Sequence, residues 1–476
     1  MAGELGYAFS PLDYSNAPTG EQLLQYVNEK NVEKATSALV DGTSPDFQDP
    51  ANGNTALHIA VLVRSEVLVK LLIVFDANLT IKNDQHQTAL DLAHSEHADD
   101  IAKVIQDILD AQKELEKDQP KVQRQQTAAS AAEVLECLML SLDGGGIRGL
   151  VFVQVLLEME KRRKMLYPSG QTLLSNFNWI TGNSTGGIAA LAFAAAKTSV
   201  VQGRKMYFDL KSEVLGGDPP ISNDQVDKVF QKVYGKSATM SDINEPNVSV
   251  MTTLATKSPP ILHIMSNYGE GRNGQDPPNK QLVWKAARAT SSVPVFFHPQ
   301  DSIYLDGGLI ANNPTTDAIV DMFDYADSEK KKVKLKMVLS LGCGYVQPKS
   351  IEDIDFEPTN IGDLIAHIIE KLGMHKLGEH AQELFLVLHN FKAFLQLMKM
   401  ELAQITQPNG EVLKRSEFVS KMLGAKFIRI NPPISSVDFL TTDDEILINM
   451  LYEVVYYMLK NCHEIVDPVL ECIYGQ

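Results

Sequence analysis

Ser184 lies in a sequence setting that is typical of an enzymatic nucleophile. It is the middle residue of the run 182–186, whose sequence GNSTG fits the pattern G-x-S-x-G. A largely apolar run at 177–180 precedes it, and a second apolar run follows it. A strand, a tight turn and a helix in this order form a nucleophile elbow, where Gly182 and Gly186 let strand and helix approach closely. The expected chemistry is attack of the serine hydroxyl on a carbonyl carbon, aided by the helix dipole.

A glycine cluster upstream supplies groups that this chemistry needs. The run 143–149, DGGGIRG, follows another apolar stretch. Consecutive glycines leave their backbone N–H groups unobstructed, which favours an oxyanion hole at Gly144, Gly145 and Gly146, with Arg148 near the next helix start. The run also fits G-x-G-x-x-G, but a dinucleotide site needs an acidic residue about twenty positions later, and the acids here come earlier. A third cluster, YLDGG, occurs further along the chain.

Taken in order, the three clusters resemble the motifs of patatin-like phospholipases. They are DGGGIRG at 143–149, GNSTGG at 182–187 and DGG at 306–308. The stretches 281–290 and 305–314 are similar to group VI calcium-independent phospholipases A2 in particular. The resemblance implies a patatin-type α/β fold, in which helices cover both faces of a mostly parallel sheet.

This family uses a Ser–Asp dyad, so the resemblance implies Ser184 as nucleophile and Asp306 as general base. A carboxylate with a pKa near 4 deprotonates serine poorly, and the dyad therefore requires a base held in a water-excluded site. The alternative is a triad with a histidine, for which His298 is the candidate. Position 183 is Asn where many relatives carry Thr. Arg148 is expected to contact lipid phosphate or to support the glycine loop.

The implied reaction is hydrolysis of glycerophospholipids to a fatty acid and a lysophospholipid, without a metal or other cofactor. A hydrolase or acyltransferase acting on lysophospholipid, neutral lipid or acyl thioester is the nearer alternative, because the dyad does not select the leaving group. A binding protein with a silent catalytic domain is the more distant alternative. The presence of Ser184, Asp306 and the glycine clusters counts against it.

The N-terminal quarter contains an internal repeat. TALHIA at 55–60 recurs as TALDLA at 88–93, a period and pattern that resemble ankyrin repeats. Threonine should cap each first helix, with second helices at 67–75 and 101–109, and 21–40 forms a degenerate capping unit. So short a stack is expected to lean on the catalytic domain as a structural cap. A protein partner or a homodimer contact is the alternative role.

Two further segments carry structural predictions. The run Asn312-Asn313-Pro314 predicts a helix start with Asn313 as N-cap, which should fix Asp306 from behind. The helix-rich segment 361–405 predicts an interfacial amphipathic element, or a hairpin packed on the core or in a dimer contact.

The sequence predicts a layout with four parts. They are a tail (1–20), ankyrin repeats (21–112), a linker (113–135) and a three-layer α/β/α catalytic domain (136–476, with its core at about 138–350 and a helical part at 351–476).

Composition excludes several classes of function. The 476 residues carry a formal net charge of −17, which argues against nucleic acid and against strong electrostatic attachment to anionic lipid. Four cysteines without metal-ligand or framework spacing predict reduced thiols. Because no signal peptide or membrane-spanning stretch is recognisable, we expect a cytoplasmic protein that meets its lipid by peripheral contact with a membrane surface.

Overall fold

The structure is a computed structural model. Most of the predicted tail, the middle of the predicted linker and the whole 361–405 segment lie outside the described residues. The described residues are 17–117, 134–216, 221–269, 276–294, 296–346 and 410–475.

Helix pairs form the N-terminal part, as the repeat predicts. Threonine is the N-cap of the first helix in each pair. In α5, Thr88 Oγ1 accepts a hydrogen bond from the Asp91 N–H at 3.1 Å, and the Asp91 carboxylate accepts one from the Thr88 N–H at 2.9 Å. The last helix extends past residue 112, so the first residues of the predicted linker are helical. The pairs are α1 (Gly20–Asn28) with α2 (Val32–Val40), α3 (Ala56–Leu62) with α4 (Glu66–Val74), and α5 (Ala89–Ser95) with α6 (Asp99–Lys117).

A mixed sheet forms the centre of the second part. Its order is β4-β3-β2-β1-β6-β7, with β5 also paired to β3. Neighbouring strands are parallel except β4 and β5, which run antiparallel to β3, so the predicted mostly parallel sheet is confirmed. The strands are β1 (Val134–Leu142), β2 (Trp179–Asn183), β3 (Asn247–Leu254), β4 (Ile261–Ser266), β5 (Tyr304–Asp306), β6 (Lys332–Leu341) and β7 (Lys426–Ile430).

Helices cover both faces of this sheet. Alternate residues of β1 point to opposite faces: Leu140 and Leu142 join the core cluster that contains α7 and α8, while Met139 joins the cluster that contains α13. The predicted three-layer α/β/α architecture is therefore confirmed. The helices are α7 (Leu150–Leu166), α8 (Thr185–Ala194), α9 (Val200–Leu210), α10 (Asn223–Tyr234), α11 (Val283–Thr290), α12 (Gly308–Ala311), α13 (Thr315–Ser328), α14 (Glu411–Met422), α15 (Asp444–Lys460) and α16 (Asp467–Tyr474).

The ankyrin helices pack directly on the second part. Helices α4 and α6 contact α15, and α2 contacts α9. Leu71 of α4 and Leu451 of α15 belong to one continuous hydrophobic cluster. At the rim, Lys460 pairs with Glu114 at 2.8 Å. The repeats thus bury apolar surface against the part of the chain that contains the sheet.

A buried ion pair joins the C-terminal helix to the core and generates the first prediction. Asp467 accepts hydrogen bonds from Nε and Nη2 of Arg162, both at 2.8 Å, and the Arg162 side chain is 2% exposed. Asp467→Asn leaves the guanidinium buried without a counter-charge, so the free energy of unfolding should fall by about 3 kcal/mol. Urea unfolding followed by circular dichroism measures this change.

The control is Glu417→Gln, which removes an exposed pair with Lys421. That change should alter the free energy of unfolding by less than about 0.5 kcal/mol. Equal effects of the two substitutions would contradict a stabilising role for the Arg162–Asp467 pair.

Candidate active site

Ser184 sits on a strained turn between β2 and α8. Its backbone has φ 52° and ψ −123°, in a region that a non-glycine residue rarely adopts. A Cβ atom on Gly182 would lie 2.1 Å from the Gly186 carbonyl oxygen, and one on Gly186 would lie 2.3 Å from the Leu142 carbonyl oxygen. Only glycine therefore allows β1, β2 and α8 to meet this closely. The strand, turn and helix order is the one that the sequence predicts.

Hydrogen bonds hold the backbone of the nucleophile in place. The Ser184 N–H donates to Thr290 Oγ1 at 2.9 Å, and the Thr290 hydroxyl donates to the Met251 carbonyl of β3 at 2.7 Å. Ser184 is largely buried. The turn is thereby tied to the neighbouring strand through one threonine side chain, which motif reading did not single out.

Asp306 reaches Ser184 because β2 and β5 share one edge of β3. Met251 of β3 is paired with Asn183 at the end of β2, and the next residue, Thr252, is paired with Asp306 at the end of β5. Asp306 Oδ1 accepts hydrogen bonds from the Gly308 N–H at 2.7 Å and from Asn183 Nδ2 at 3.5 Å. The structure thus brings both members of the predicted dyad to one point.

The pKa of the Asp306 carboxyl is higher than that of an exposed aspartate. Burial raises its pKa to about 6, although the Ser184 hydroxyl, the Gly308 N–H and Asn183 each act to lower it. The Ser184 hydroxyl is close enough to affect the pKa, yet Oδ2 has no partner at hydrogen-bond geometry among the described residues. Oδ2 is therefore the oxygen available to accept a proton, and a pKa near neutrality suits a general base.

The glycine loop corrects part of the oxyanion prediction. The Gly144 N–H donates to the Asn312 carbonyl at 3.1 Å, so this amide is already occupied in the observed geometry. The hydrogen bonds of the described residues include none from the amides of Gly145 or Gly146. Gly144 instead allows the loop to approach Ser184 closely, since a Cβ atom on Gly144 would lie 3.1 Å from the Ser184 Cβ. Of the three amides predicted for the oxyanion hole, those of Gly145 and Gly146 have no hydrogen-bond acceptor among the described residues.

A buried ion pair supports this loop from below, and the sequence did not reveal it. The fully buried Asp143 accepts hydrogen bonds from Arg429 Nη2 at 2.5 Å and from Asn313 Nδ2 at 2.9 Å. Burial raises the pKa of Asp143 to about 6, and Arg429 and Asn313 oppose the change. Within the predicted helix start, the amide of Asn313 is directed to Asp143, whereas Asn312 accepts a hydrogen bond from Asn183, which also donates to Asp306. Asn313 Oδ1 accepts from the Thr315 N–H at 3.2 Å, and α13 begins at Thr315.

Arg148 lies inside the protein. It belongs to a single 3-10 turn, Gly146–Gly149, and is 3% exposed. Burial lowers its pKa, while nearby Asp438 and Cys343 act to raise it. This position favours support of the glycine loop over contact with lipid phosphate.

Comparison with known proteins agrees with the geometry. Residues 140–319 match the family model of patatin-like phospholipases, and residues 23–116 match a model of ankyrin repeats in three copies. The chain carries a patatin-like domain behind ankyrin repeats. The degenerate capping unit predicted at 21–40 falls largely within the repeat match.

Named relatives are phospholipases. The rat 85/88 kDa calcium-independent phospholipase A2 is 31% identical over 347 residues, which cover 68% of this chain and 39% of the rat protein. The intracellular phospholipase A2 of Caenorhabditis elegans is 26% identical, covering 70% of this chain and 29% of that protein. A cGAMP-activated phospholipase of Escherichia coli is 28% identical, covering 41% and 58%. The chain thus spans about two fifths of the length of the rat relative and a smaller share of the nematode relative.

An apolar pocket opens beside the nucleophile of the patatin-like domain. It extends from Ser184 and Gly146 between α9, α10 and the loop after α11. Aliphatic and aromatic side chains dominate its wall, a composition that suits a hydrocarbon chain. Besides Ser184 and Gly146, its lining includes Ile147, Thr185, Ile188, Tyr207, Leu210, Val214, Leu215, Val226, Phe230, Ser291, Val293, Phe297, Phe439 and Leu440.

Histidine does not complete this site in the part of the chain that the structure describes. His298 is exposed, and its backbone carbonyl accepts a hydrogen bond from Arg288 Nη2 at 3.0 Å. The hydrogen-bond partners of the Asp306 carboxylate are an amide side chain and a backbone N–H. The geometry therefore favours the dyad over the triad. None of the described helices is long and apolar enough to cross a membrane.

The pKa of Asp306 predicts a pH profile. A protonated carboxyl cannot accept the Ser184 proton, so kcat/KM should fall about tenfold per pH unit below about pH 6. Above about pH 6, Asp306→Asn should lower turnover by at least about 10². His298→Ala is the control and should keep both rate and profile. A histidine variant that loses activity, beside an active Asp306→Asn, would establish a triad.

The glycine loop predicts a substitution and its rescue. A Cβ atom on Gly145 would lie 2.5 Å from Cβ and 2.7 Å from Sγ of Cys343. Gly145→Ala should therefore displace the loop amides and lower kcat by about 10², as loss of an oxyanion donor does. Adding Cys343→Gly removes both clashing atoms and should restore most of the rate, whereas Cys343→Ala keeps the clashing Cβ and should not. Wild-type kcat in Gly145→Ala alone would exclude this loop as the oxyanion hole.

Proposed function

We propose that the protein is a calcium-independent serine acyl hydrolase of the phospholipase A2 type. It releases a fatty acid and a lysophospholipid from a glycerophospholipid. The observation that carries this proposal is the placement of Ser184 on a strained turn beside Asp306, whose buried carboxyl has a raised pKa, at the mouth of an apolar pocket. The names of the relatives support the same substrate class.

Acylation follows from this geometry. Ser184 Oγ attacks the ester carbonyl carbon while its proton passes to Asp306 Oδ2. The negative charge that develops on the carbonyl oxygen is stabilised by the N–H groups of Gly145 and Gly146. The tetrahedral intermediate then collapses with cleavage of the bond to the glycerol oxygen. Asp306 returns its proton to that oxygen, and the lysophospholipid leaves.

Deacylation repeats the same steps with water. Asp306 Oδ2 takes a proton from a water molecule as the water oxygen attacks the acyl-enzyme carbonyl. Cleavage of the bond to Ser184 Oγ returns the proton to the serine and releases the fatty acid. The base is used twice and ends unchanged, so the reaction requires no other titratable group.

Calcium independence has a physical basis in the glycine loop. A calcium-dependent enzyme uses the cation to neutralise the forming oxyanion. Here the amides of Gly145 and Gly146 are proposed to do so, and a helix N-terminus behind Ser184 adds partial positive charge. The printed name of the rat relative describes that protein as calcium-independent.

The pocket explains which part of the substrate is recognised. Its apolar wall suits the acyl chain that remains on Ser184. A lysophospholipid, a neutral lipid or an acyl thioester would present the same chain, so these remain the second candidate substrates. A panel of lipids with one acyl chain in common and different leaving groups separates them by kcat/KM.

We propose that the protein acts in the cytoplasm and contacts membranes peripherally. One relative is named an intracellular phospholipase A2. The net charge of −17 argues for apolar rather than electrostatic contact with lipid. Ankyrin repeats commonly bind proteins, and a homodimer or another protein partner is proposed for this stack; analytical ultracentrifugation measures the first.

Hydrolysis should depend on Ser184 and not on calcium. Ser184→Ala removes one oxygen, so it should abolish both lipid hydrolysis and labelling by a fluorophosphonate without a change in the thermal midpoint. The assay uses position-labelled phosphatidylcholine in mixed micelles, with calcium or with excess chelator, and wild-type rates should agree in both. Ser328→Ala, on the exposed part of α13, is the control. Activity that disappears in chelator and returns with calcium would overturn the proposal, as would labelling of the alanine variant.

A further inference from the structure

Helix α9 contacts both the ankyrin stack and the active-site pocket. Arg204 and Phe208, one turn apart, face the ankyrin stack, while Tyr207 and Leu210 face the active-site pocket. The helix therefore spans the distance between the repeats and the nucleophile elbow. Nothing in the proposed reaction uses Arg204 or the hydroxyl of Tyr207.

Arg204 anchors α9 on the end of an ankyrin helix. Its Nη1 donates to the carbonyl oxygen of Val74, the last residue of α4, at 3.1 Å. Its guanidinium lies 4.0 Å from the centre of the Phe75 ring. The last carbonyls of a helix lack partners within the helix and carry the negative end of its dipole, so a buried arginine fits there. Phe75 also contacts Phe208, with ring centres 6.5 Å apart.

The next residue of α9 adds a second contact with the repeats. Lys205 pairs with Asp41, the C-cap residue of α2, at 2.7 Å. Adjacent cations of α9 thus meet the C-terminal ends of α2 and α4. Since these two helices belong to successive repeats, α9 is joined to two repeats of the stack as well as to α7, on which it also packs.

Tyr207 holds the residue that follows the nucleophile. Its buried hydroxyl accepts a hydrogen bond from Thr185 Oγ1 at 2.7 Å and donates one to the Thr185 carbonyl at 2.8 Å. A Cβ atom on Gly149 would lie 2.5 Å from this hydroxyl, so the glycine at the end of DGGGIRG leaves the space that Tyr207 occupies. Both hydrogen bonds act on the first residue of α8, directly after Ser184.

We propose that α9 transmits the position of the ankyrin stack to the nucleophile elbow, with Tyr207 as a positioning residue for Ser184. The path runs from Val74 through Arg204, along one turn of α9, to Tyr207 and Thr185. A shift of α9 would move the Thr185 backbone and with it the direction of the Ser184 hydroxyl. The stack is then a part of the catalytic apparatus, and a ligand on the repeats could alter turnover through this helix. The inference rests on the proposed hydrolase function.

The test breaks each end of the path. Arg204→Met removes the hydrogen bond to Val74 but keeps an apolar stem over Phe75, and Tyr207→Phe removes only the hydroxyl. Each should lower kcat and the rate of fluorophosphonate labelling by about tenfold, because misalignment slows attack by the nucleophile, with KM little changed. The thermal midpoint, read by differential scanning fluorimetry, should stay within a few degrees.

A double variant and a matched control make the test specific. Arg204→Met combined with Tyr207→Phe should be no slower than either change alone, since both interrupt one path. Lys460→Gln breaks the contact between the stack and α15 at Glu114, away from α9, and should keep wild-type rates. Multiplied effects in the double variant, or an equal loss in Lys460→Gln, would overturn the coupling through α9.

Labelling separates this inference from the proposed function. A wild-type protein that reacts with the fluorophosphonate but hydrolyses no phospholipid would refute the phospholipase proposal. The labelling rates of the α9 variants would still decide the coupling. Wild-type labelling rates in both Arg204→Met and Tyr207→Phe would refute the α9 inference and leave the hydrolase proposal intact.

Discussion

The active site depends on one edge of β3 that two strands share. This edge pairs in parallel with β2 as far as Met251 and then antiparallel with β5 from Thr252 onward. The ends of β2 and β5 must therefore abut, which places Asn183 and Asp306 against consecutive residues. A Cβ atom on Gly307 would lie 2.4 Å from both Asn183 Oδ1 and the Met251 carbonyl, so the abutment requires glycine there. This backbone pairing brings Ser184, the proposed nucleophile, close to Asp306, the proposed base.

The hydrogen-bond partners of the Asp306 carboxylate are uncharged amide groups. Asn183 Nδ2 donates to Asn312 Oδ1 at 3.0 Å, and Asn312 donates to the Gly144 carbonyl at 3.3 Å, which joins the base to the glycine loop. Asp143, one residue from this network, is paired with Arg429. Asp306 has neutral donors instead, and burial raises the pKa of both carboxyls to about 6. A cation beside Asp306 would lower the pKa of its carboxyl and make the carboxylate a weaker base.

The ankyrin helices pack on the sheet domain as well as on one another. Stability of such arrays comes from interfaces between neighbours, and at least three repeats are usually needed. Here α15 and α9 provide an additional interface, and the hydrophobic core runs without interruption from the repeats into the sheet domain. The repeats and the turn that carries Ser184 are therefore parts of one packed body.

Local sequence determined the features that depend on near neighbours. The glycines around Ser184 dictate the turn between strand and helix, and the repeated threonines dictate helix starts, because these are steric and capping effects within a few residues. Family resemblance supplied Asp306. Tertiary structure alone decided that Asn312 occupies the Gly144 amide, that Asn313 serves Asp143, and that Arg429 supports the loop. The partners of those last two contacts lie 170 and 286 positions apart in the chain, and only the strand order brings them together. Arg429, in the largely apolar strand β7, is a local sign that a buried ion pair exists. Its partner, Asp143, becomes evident only once the sheet is assembled.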